Sequence, residues 1–309
     1  MFIKKITICF RIKDSSVKKI KVLNVVLVWG IILSLLFLSQ QAIYANEKQS
    51  LVKKIDHVLI APTDIPGLIN FFNEILKLPV AWEYRSYGYF SSAGFYAGNA
   101  NIEIIKIDTI KTGTGIGGIA FEPDGTTGEV VDRMIQRSIS FEAPVFHEDP
   151  KFKKEMKKKN TWTTTDITNI LPGSLVFFCE YHADSEKMES WKKYLQIKLD
   201  ERNGGPLGIE SVSEIRLGLN ETRIEDWKNL LAPVSDNANN HVFALGTGPA
   251  IRLVKSNDNS IDAIRFKVKS LDVALKHLKK CKMFGKRGMA SISTNPDKTY
   301  GVLFEFSEI

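Results

Sequence analysis

Residues 51–108 read LVKKIDHVLI APTDIPGLIN FFNEILKLPV AWEYRSYGYF SSAGFYAGNA NIEIIKID, and the order of patterns inside this stretch decides the fold. It opens with an apolar strand pattern over 54–61. Asp64 and Pro66 then form a helix start signal, and Leu68, Phe71, Phe72, Ile75 and Leu76 recur at helical spacing behind it. Strand patterns follow over 80–90, 91–97 and 101–108, with Gly98-Asn99 as the turn before the last. The unit is βαβββ.

The same order recurs along the chain, and repetition of this kind fixes architecture. After Gly113, a strand pattern at 115–122 leads to Thr126-x-x-Glu129, a capping box for a helix carrying Val130, Val131, Met134 and Ile135, with strands at 139–146 and 175–181. Residues 151–159 are lysine-dense and read as a solvated face. Residues 184–206 read as a connector, with Trp191, Tyr194 and Leu195 at helical spacing and Asn203-Gly204-Gly205-Pro206 as a breaker. A third unit has a strand at 209–219, Asn220 as helix cap and strands at 241–245 and 250–255. The fourth has a strand at 261–268, Ser270 capping a helix over 271–282, and a closing strand at 300–306. The expected fold class is α+β, with four βαβββ modules in two pairs over 51–183 and 207–309.

Ile55-Asp56-His57-Val58, Phe71-Phe72-Asn73-Glu74-Ile75-Leu76-Lys77-Leu78-Pro79 and Gly98-Asn99-Ala100-Asn101-Ile102-Glu103-Ile104-Ile105 resemble the opening module of the vicinal oxygen chelate superfamily, the glyoxalase and extradiol dioxygenase group. Residues 171–181, from Leu171-Pro172-Gly173 to Glu180-Tyr181, are similar to the closing strand of its glyoxalase-like subgroup. The second half, 209–309, follows the same order as a degenerate copy. The resemblance implies that each pair of modules makes one curled mixed sheet with a cavity over it and, in enzymes of the group, a divalent metal held by His or Glu from four strands with open positions for substrate. Carried onto this chain, it implies metal ligands at His57, Glu103 and Glu180, with Gly118 at the fourth position. Alternation independently places His57 on a face with Ile55 and Leu59, and Glu103 on a face with Ile105 and Ile107, where buried polar groups need partners.

One imidazole and two carboxylates suit Zn, Mn, Fe or Ni completed by water or substrate, the equipment of an isomerase, lyase or dioxygenase acting on a small oxygen-rich or carbonyl compound. A carboxylate free of the metal would serve as base. The alternative is a metal-free binding protein in which His57 pairs with Glu103 or Glu180 and the cavity sequesters a small molecule. His147, beside Glu148 and Asp149, reads as a surface histidine. In the second half the matching positions are Glu214, Arg252 and Glu305, with Ala263 facing Gly118's place; a guanidinium has no lone pair, so this is an ion-pair or anion-binding set. Trp82, Tyr84, Tyr87, Tyr89, Phe90, Phe95 and Tyr96 supply rings to the second and third strands, about half of them facing inward.

Charge and cysteine usage narrow the classes further. The 309 residues carry a net charge of +7, but 1–45 hold seven Lys or Arg against one Asp, leaving about +1 for the body and no footprint for nucleic acid. That leader continues into an uncharged, mostly apolar run from Val22 to Ala45, with small residues before Asn46. It reads as a secretory signal or, uncleaved, a membrane anchor, with the body outside the cytoplasm in either case. Cys179 and Cys281 read as buried apolar residues rather than a disulfide framework. Alternation from Glu180 points Cys179 away from the expected pocket. No G-x-S-x-G elbow is present, and the glycines at 113, 115, 117 and 118 lack the Gly-Lys-Ser/Thr ending of a phosphate loop.

Overall fold

The computed structural model describes residues 49–107, 115–148, 161–182, 185–234 and 240–308. The leader at 1–45 and the lysine run at 151–159 lie outside the described residues. Among the described residues no helix is long and apolar enough to cross a membrane.

The first module comprises β1 (Val52–Ala61), helix α1 (Ile65–Asn70) continued by a π turn (Phe71–Ile75), β2 (Val80–Ser86), β3 (Phe90–Tyr96) and β4 (Asn101–Ile107). Asp64 caps α1 by accepting from the Gly67 amide, as its position before Pro66 predicts. The second module is β5 (Gly115–Pro123), α2 (Thr127–Gln136), β6 (Val145–Glu148), β7 (Thr161–Asp166) and β8 (Leu175–Tyr181). The expected capping box is present, with Thr126 and Glu129 bonded reciprocally. These strands form one sheet in the order β2-β3-β4-β1-β5-β8-β7-β6. Its seam is the antiparallel β1–β5 pair, with β4 parallel to β1 and β8 parallel to β5.

Helix α3 (Ser185–Glu201) fills the segment read as a connector. The second sheet then uses β9 (Ile209–Leu219), helix α4 (Glu221–Leu231), β10 (Val242–Phe243), β11 (Ala250–Lys255), β12 (Ser260–Val268), helix α5 (Leu271–Lys280), β13 (Phe284–Arg287), β14 (Ser291–Thr294) and β15 (Phe304–Glu308). Its order is β10-β11-β9-β12-β15-β14-β13, again with an antiparallel seam, here β9–β12. Strands β7, β13 and β14 lie where the sequence pattern predicts none, β10 is confined to Val242–Phe243, and two other strands start later than expected. Strand β6 begins only at Val145, after Pro144, and Phe141 makes a single bridge to Ile167. The last strand starts at Phe304 rather than at 300, because Tyr300 and Gly301 take left-handed backbone at φ 58° and 83° and turn the chain first.

Alternation sends one face of each sheet to the helices, and those faces share a single apolar core. Phe72 stacks on Phe95 at 5.2 Å and Phe71 on Phe304 at 5.4 Å, while Phe121 meets Trp227 at 6.3 Å, so rings of both sheets interlock. The other face of the first sheet carries a smaller apolar cluster of Leu59, Ala61, Ile105, Ala120, Phe177 and Cys179. Leu59, Ile105, Phe177 and Cys179 of that cluster line the floor of a cleft of about 1700 Å³, which Met188, Trp191 and Leu195 of α3 also line.

Candidate functional site

The centre of the cleft floor is His57. In β1, Ile55 pairs with Phe121 and His57 with Ala120, leaving Asp56 as the extra residue of a β-bulge. The bulge breaks the alternation and brings Asp56 to the same cleft as His57. His57 Nδ1 is 2.8 Å from Asp56 Oδ2, and its Nε2 is 3.0 Å from Glu103 Oε2. The Tyr181 hydroxyl donates to the same Asp56 oxygen at 2.9 Å. All three charged side chains are buried, with Asp56 8%, His57 5% and Glu103 6% exposed. Around them stand Phe177, whose ring meets that of His57 edge-on at 5.7 Å, and Trp82 at 6.4 Å. Trp82 lies across Gly94, where a Cβ would come within 2.3 Å of the indole, and donates through Nε1 to Ser92 Oγ at 3.0 Å.

These contacts set the charges. Burial by itself lowers the His57 pKa, but the Glu103 charge and the hydrogen bonds to Asp56 and Glu103 more than reverse it, to about 10. Burial pushes Asp56 up, and the bonds to His57 and Tyr181 with the imidazolium charge bring it below the usual carboxylate range. Tyr181 and Cys179 are driven well above their ordinary values, chiefly by burial and by the Asp56 charge, so both stay neutral at physiological pH. A buried neutral thiol of this kind is not a nucleophile.

The structure brings His57 and Glu103 together and leaves Glu180 apart from them. Glu180 Oε2 accepts from the Thr127 amide at 2.8 Å and from the Thr127 hydroxyl, so its carboxylate serves the first turn of α2. In β8 it is Phe177, Cys179 and Tyr181 that line the cleft, whereas Val176 and Phe178 enter the core. The face expected for Cys179 is thereby corrected: it points into the cleft and Glu180 away from it. Gly118 cannot be replaced by a donor-bearing residue, since a Cβ there would lie 2.2 Å from the Leu175 carbonyl oxygen. Among the described residues no group of three or more His, Cys, Asp or Glu is arranged to hold a metal ion. The ligand set of this chain therefore does not fit the metal centre that the resemblance implies: two donors converge, a third is engaged elsewhere, and the fourth position is sterically closed to side chains.

Sequence reasoning missed Asp56, Tyr181 and the role of α3. His147, expected on the surface, lies at the cleft mouth, bonded to the Tyr89 hydroxyl at 2.9 Å and to Thr164 Oγ1 at 2.8 Å and stacked on Trp162 at 5.3 Å. Burial lowers its pKa. Because Tyr89 follows β2 and His147 sits in β6, this contact joins the two edges of the sheet across the mouth.

The second sheet carries the expected ion-pair set and enlarges it. Arg252 Nε meets Glu214 Oε2 at 2.7 Å, Arg265 reaches Glu214 at 3.2 Å and Glu305 at 2.6 Å, and Arg216 reaches Glu305 at 2.9 Å. Burial raises the Glu305 pKa, but the bonds to Arg265 and Arg216 and their charges leave it lowered overall.

Neither a protein-family model nor a curated protein matches the sequence. Solved structures do match the fold. A hypothetical protein from Staphylococcus aureus superposes with a TM-score of 0.55 at 14% identity, over 83% of this chain and 99% of the other. The Mn(II)-bound glyoxalase from Novosphingobium aromaticivorans gives 0.53 at 13% identity, over 84% and 83%. A 2,3-dioxygenase from Pseudomonas sp. KL28 gives 0.51 at 10% identity, over 84% and 93%. The fold of this chain is that of vicinal oxygen chelate proteins, in two curled mixed sheets, as the resemblance implies.

Proposed function

We propose that this chain is an exported small-molecule-binding protein that holds a ring-bearing ligand in the cleft of the first sheet without a metal ion. The observation that carries this reading is the engagement of both His57 ring nitrogens by carboxylates at the cleft floor. A metal would have to displace the proton that these carboxylates hold on the imidazole, because a protonated imidazole has no lone pair to offer. The aromatic rings above it supply apolar contact area for a ligand. Export rests on the sequence alone, on the basic and apolar leader ahead of Asn46.

The second reading is a metal-assisted enzyme, to which the meeting of His57 Nε2 with Glu103 and the likeness to a Mn(II)-bound glyoxalase lend support. One experiment separates the two. Chelator-treated protein is screened against ring-bearing compounds by thermal shift, then dialysed against Zn(II), Mn(II), Fe(II) and Ni(II) and subjected to elemental analysis. The binding reading expects hits that persist in chelator and substoichiometric metal. One equivalent of metal, lost in His57→Ala and Glu103→Ala and required for every hit, overturns it in favour of the enzyme.

A further inference from the structure

The donor and acceptor inventory of the cleft floor narrows the ligand to a chemical class. His57 satisfies one oxygen of each carboxylate, and the Tyr181 hydroxyl falls on the Asp56 oxygen already used. Asp56 Oδ1 and Glu103 Oε1 are left without a protein partner among the described residues. Asn101 pairs with His57 across β1 and β4 and also lines the cleft; its Oδ1 is buried with no hydrogen-bond partner among the described residues. Three acceptor oxygens thus flank one imidazole whose own donors are spent. Two carboxylates around one imidazolium leave a net negative charge at the floor.

Four lysine and arginine side chains also line the cleft, Lys54, Arg85, Lys187 and Lys192, and two of them are drawn to carboxylates away from its floor, although the Lys192 charge still acts on Asp56. Lys54 and Lys192 are directed to Glu122, at 3.5 and 3.9 Å, and Lys192 also to Glu189 at 3.3 Å. The Arg85 guanidinium lies over the Tyr87 ring at 5.4 Å. An unpaired buried acceptor such as Asn101 Oδ1 costs about 1–3 kcal/mol, and the open carboxylate oxygens repel lone pairs, so a ligand bearing N–H donors is favoured over one bearing lone pairs. Positive charge adds attraction to the carboxylates and to the ring faces of Trp82 and Phe177.

We infer that the ligand of this cleft is a ring-bearing organic cation with N–H donors, an aryl-alkylammonium or amidinium, seated with its charged end on the free oxygens of Asp56, Glu103 and Asn101 and its ring among the aromatic side chains. The inference rests on the binding reading above and specifies the ligand for the same cleft. An anionic, oxygen-chelating compound has the opposite requirements, lone pairs where this floor already supplies them.

The test uses three probes of one shape: 2-phenylethylammonium, 2-phenylethanol and 3-phenylpropanoate. Each is titrated into chelator-treated protein at neutral pH and low salt, with binding read by calorimetry and by quenching of Trp82 and Trp162. The ammonium is expected to bind at least tenfold more tightly than the carboxylate, with the alcohol between them and the advantage shrinking as salt is raised. Glu103→Gln and, separately, Asn101→Leu are each expected to weaken the ammonium about tenfold and the alcohol by less, so that the preference for the ammonium shrinks; circular dichroism checks that both variants fold. Equal binding of all three, preference for the carboxylate, or no binding of the ammonium overturns the inference. Preference for the carboxylate in the absence of metal leaves the binding reading standing, whereas binding of any probe only after metal is restored removes that reading itself.

Discussion

Replacing Glu103 with Gln keeps the shape of the cleft floor and removes one of the two charges that hold His57 protonated. An ordinary histidine titrates near 6.5 and His57 at about 10, a difference equivalent to a free energy on the order of 5 kcal/mol favouring the imidazolium in the folded protein. Among the influences that raise it, the Glu103 charge is the largest, and Glu103 also contributes a hydrogen bond. The variant should forfeit roughly half, about 2–3 kcal/mol. Because the folded-state pKa lies above the unfolded one, this stabilisation is fully present below about pH 6.5 and is lost as pH rises through about 10. Urea denaturation should therefore show a wild-type advantage of about 2–3 kcal/mol at pH 6 that holds until pH reaches the variant's own lower His57 midpoint, narrows from there to about 10 and is small near pH 10.5. In parallel, imidazole ¹⁵N resonances should report a charged His57 through the neutral range in the wild type, with a lower midpoint in Glu103→Gln. A wild-type His57 that titrates near 6.5, or a stability gap indifferent to pH, would refute the charge assignment.

The remaining predictions concern the residues that set this cleft apart from a metal centre. Glu180→Gln should cost about 1 kcal/mol in chemical denaturation, because Thr127 at the start of α2 loses a charged acceptor, while cleft ligand affinity stays within twofold; a lost ligand response would return Glu180 to the site. Gly118→Ala should destabilise by about 2 kcal/mol or more, since its Cβ would meet a backbone oxygen and force β5 and β8 apart; thermal unfolding at wild-type temperature would contradict the close approach. Arg265→Met should cost about 2 kcal/mol near neutral pH by leaving Glu214 and Glu305 with one arginine fewer. Glu305 has a lowered pKa, so that penalty is present above about pH 4.5 and should fade as pH falls below it; acid denaturation curves of wild type and variant that never converge would exclude the ion pair as its source.

Much of the fold is legible in the sequence because its signals are local. The helix starts at Asp64, Thr126, Asn220 and Ser270 are all occupied as caps, each accepting a hydrogen bond from a first-turn amide. The site is legible only in part. Placing Asp56 and His57 on the same side requires a bulge, and strict alternation puts neighbours on opposite faces; the hint is two adjacent polar residues, Asp56 and His57, within the run Ile55 to Ala61. In β8 the sequence Leu175-Val176-Phe177-Phe178-Cys179 is apolar at every position, so period two has nothing to register against, and a slip by one residue exchanges Glu180 for Tyr181. The part α3 plays depends on tertiary packing: helical spacing marks Trp191 and Leu195, but nothing local says that they border the cleft.

The two sheets repeat one topology, and the difference between their open faces argues for where ligand chemistry resides. On the second sheet, three guanidinium groups and two carboxylates meet at corresponding strand positions, and both oxygens of Glu214 and of Glu305 have an arginine partner. Such a set is complete without any ligand and serves to fix strands β9, β11, β12 and β15 against one another. On the first sheet one imidazole meets two carboxylates, each carboxylate keeps an oxygen without a protein partner among the described residues, and Asn101 adds a third acceptor in the same condition. A fold-stabilising cluster would be expected to close these valences, as the second sheet does with arginine. That the first sheet leaves acceptors open beneath a cleft of about 1700 Å³, with every donor of His57 already committed, is the physical distinction between a scaffold and a site.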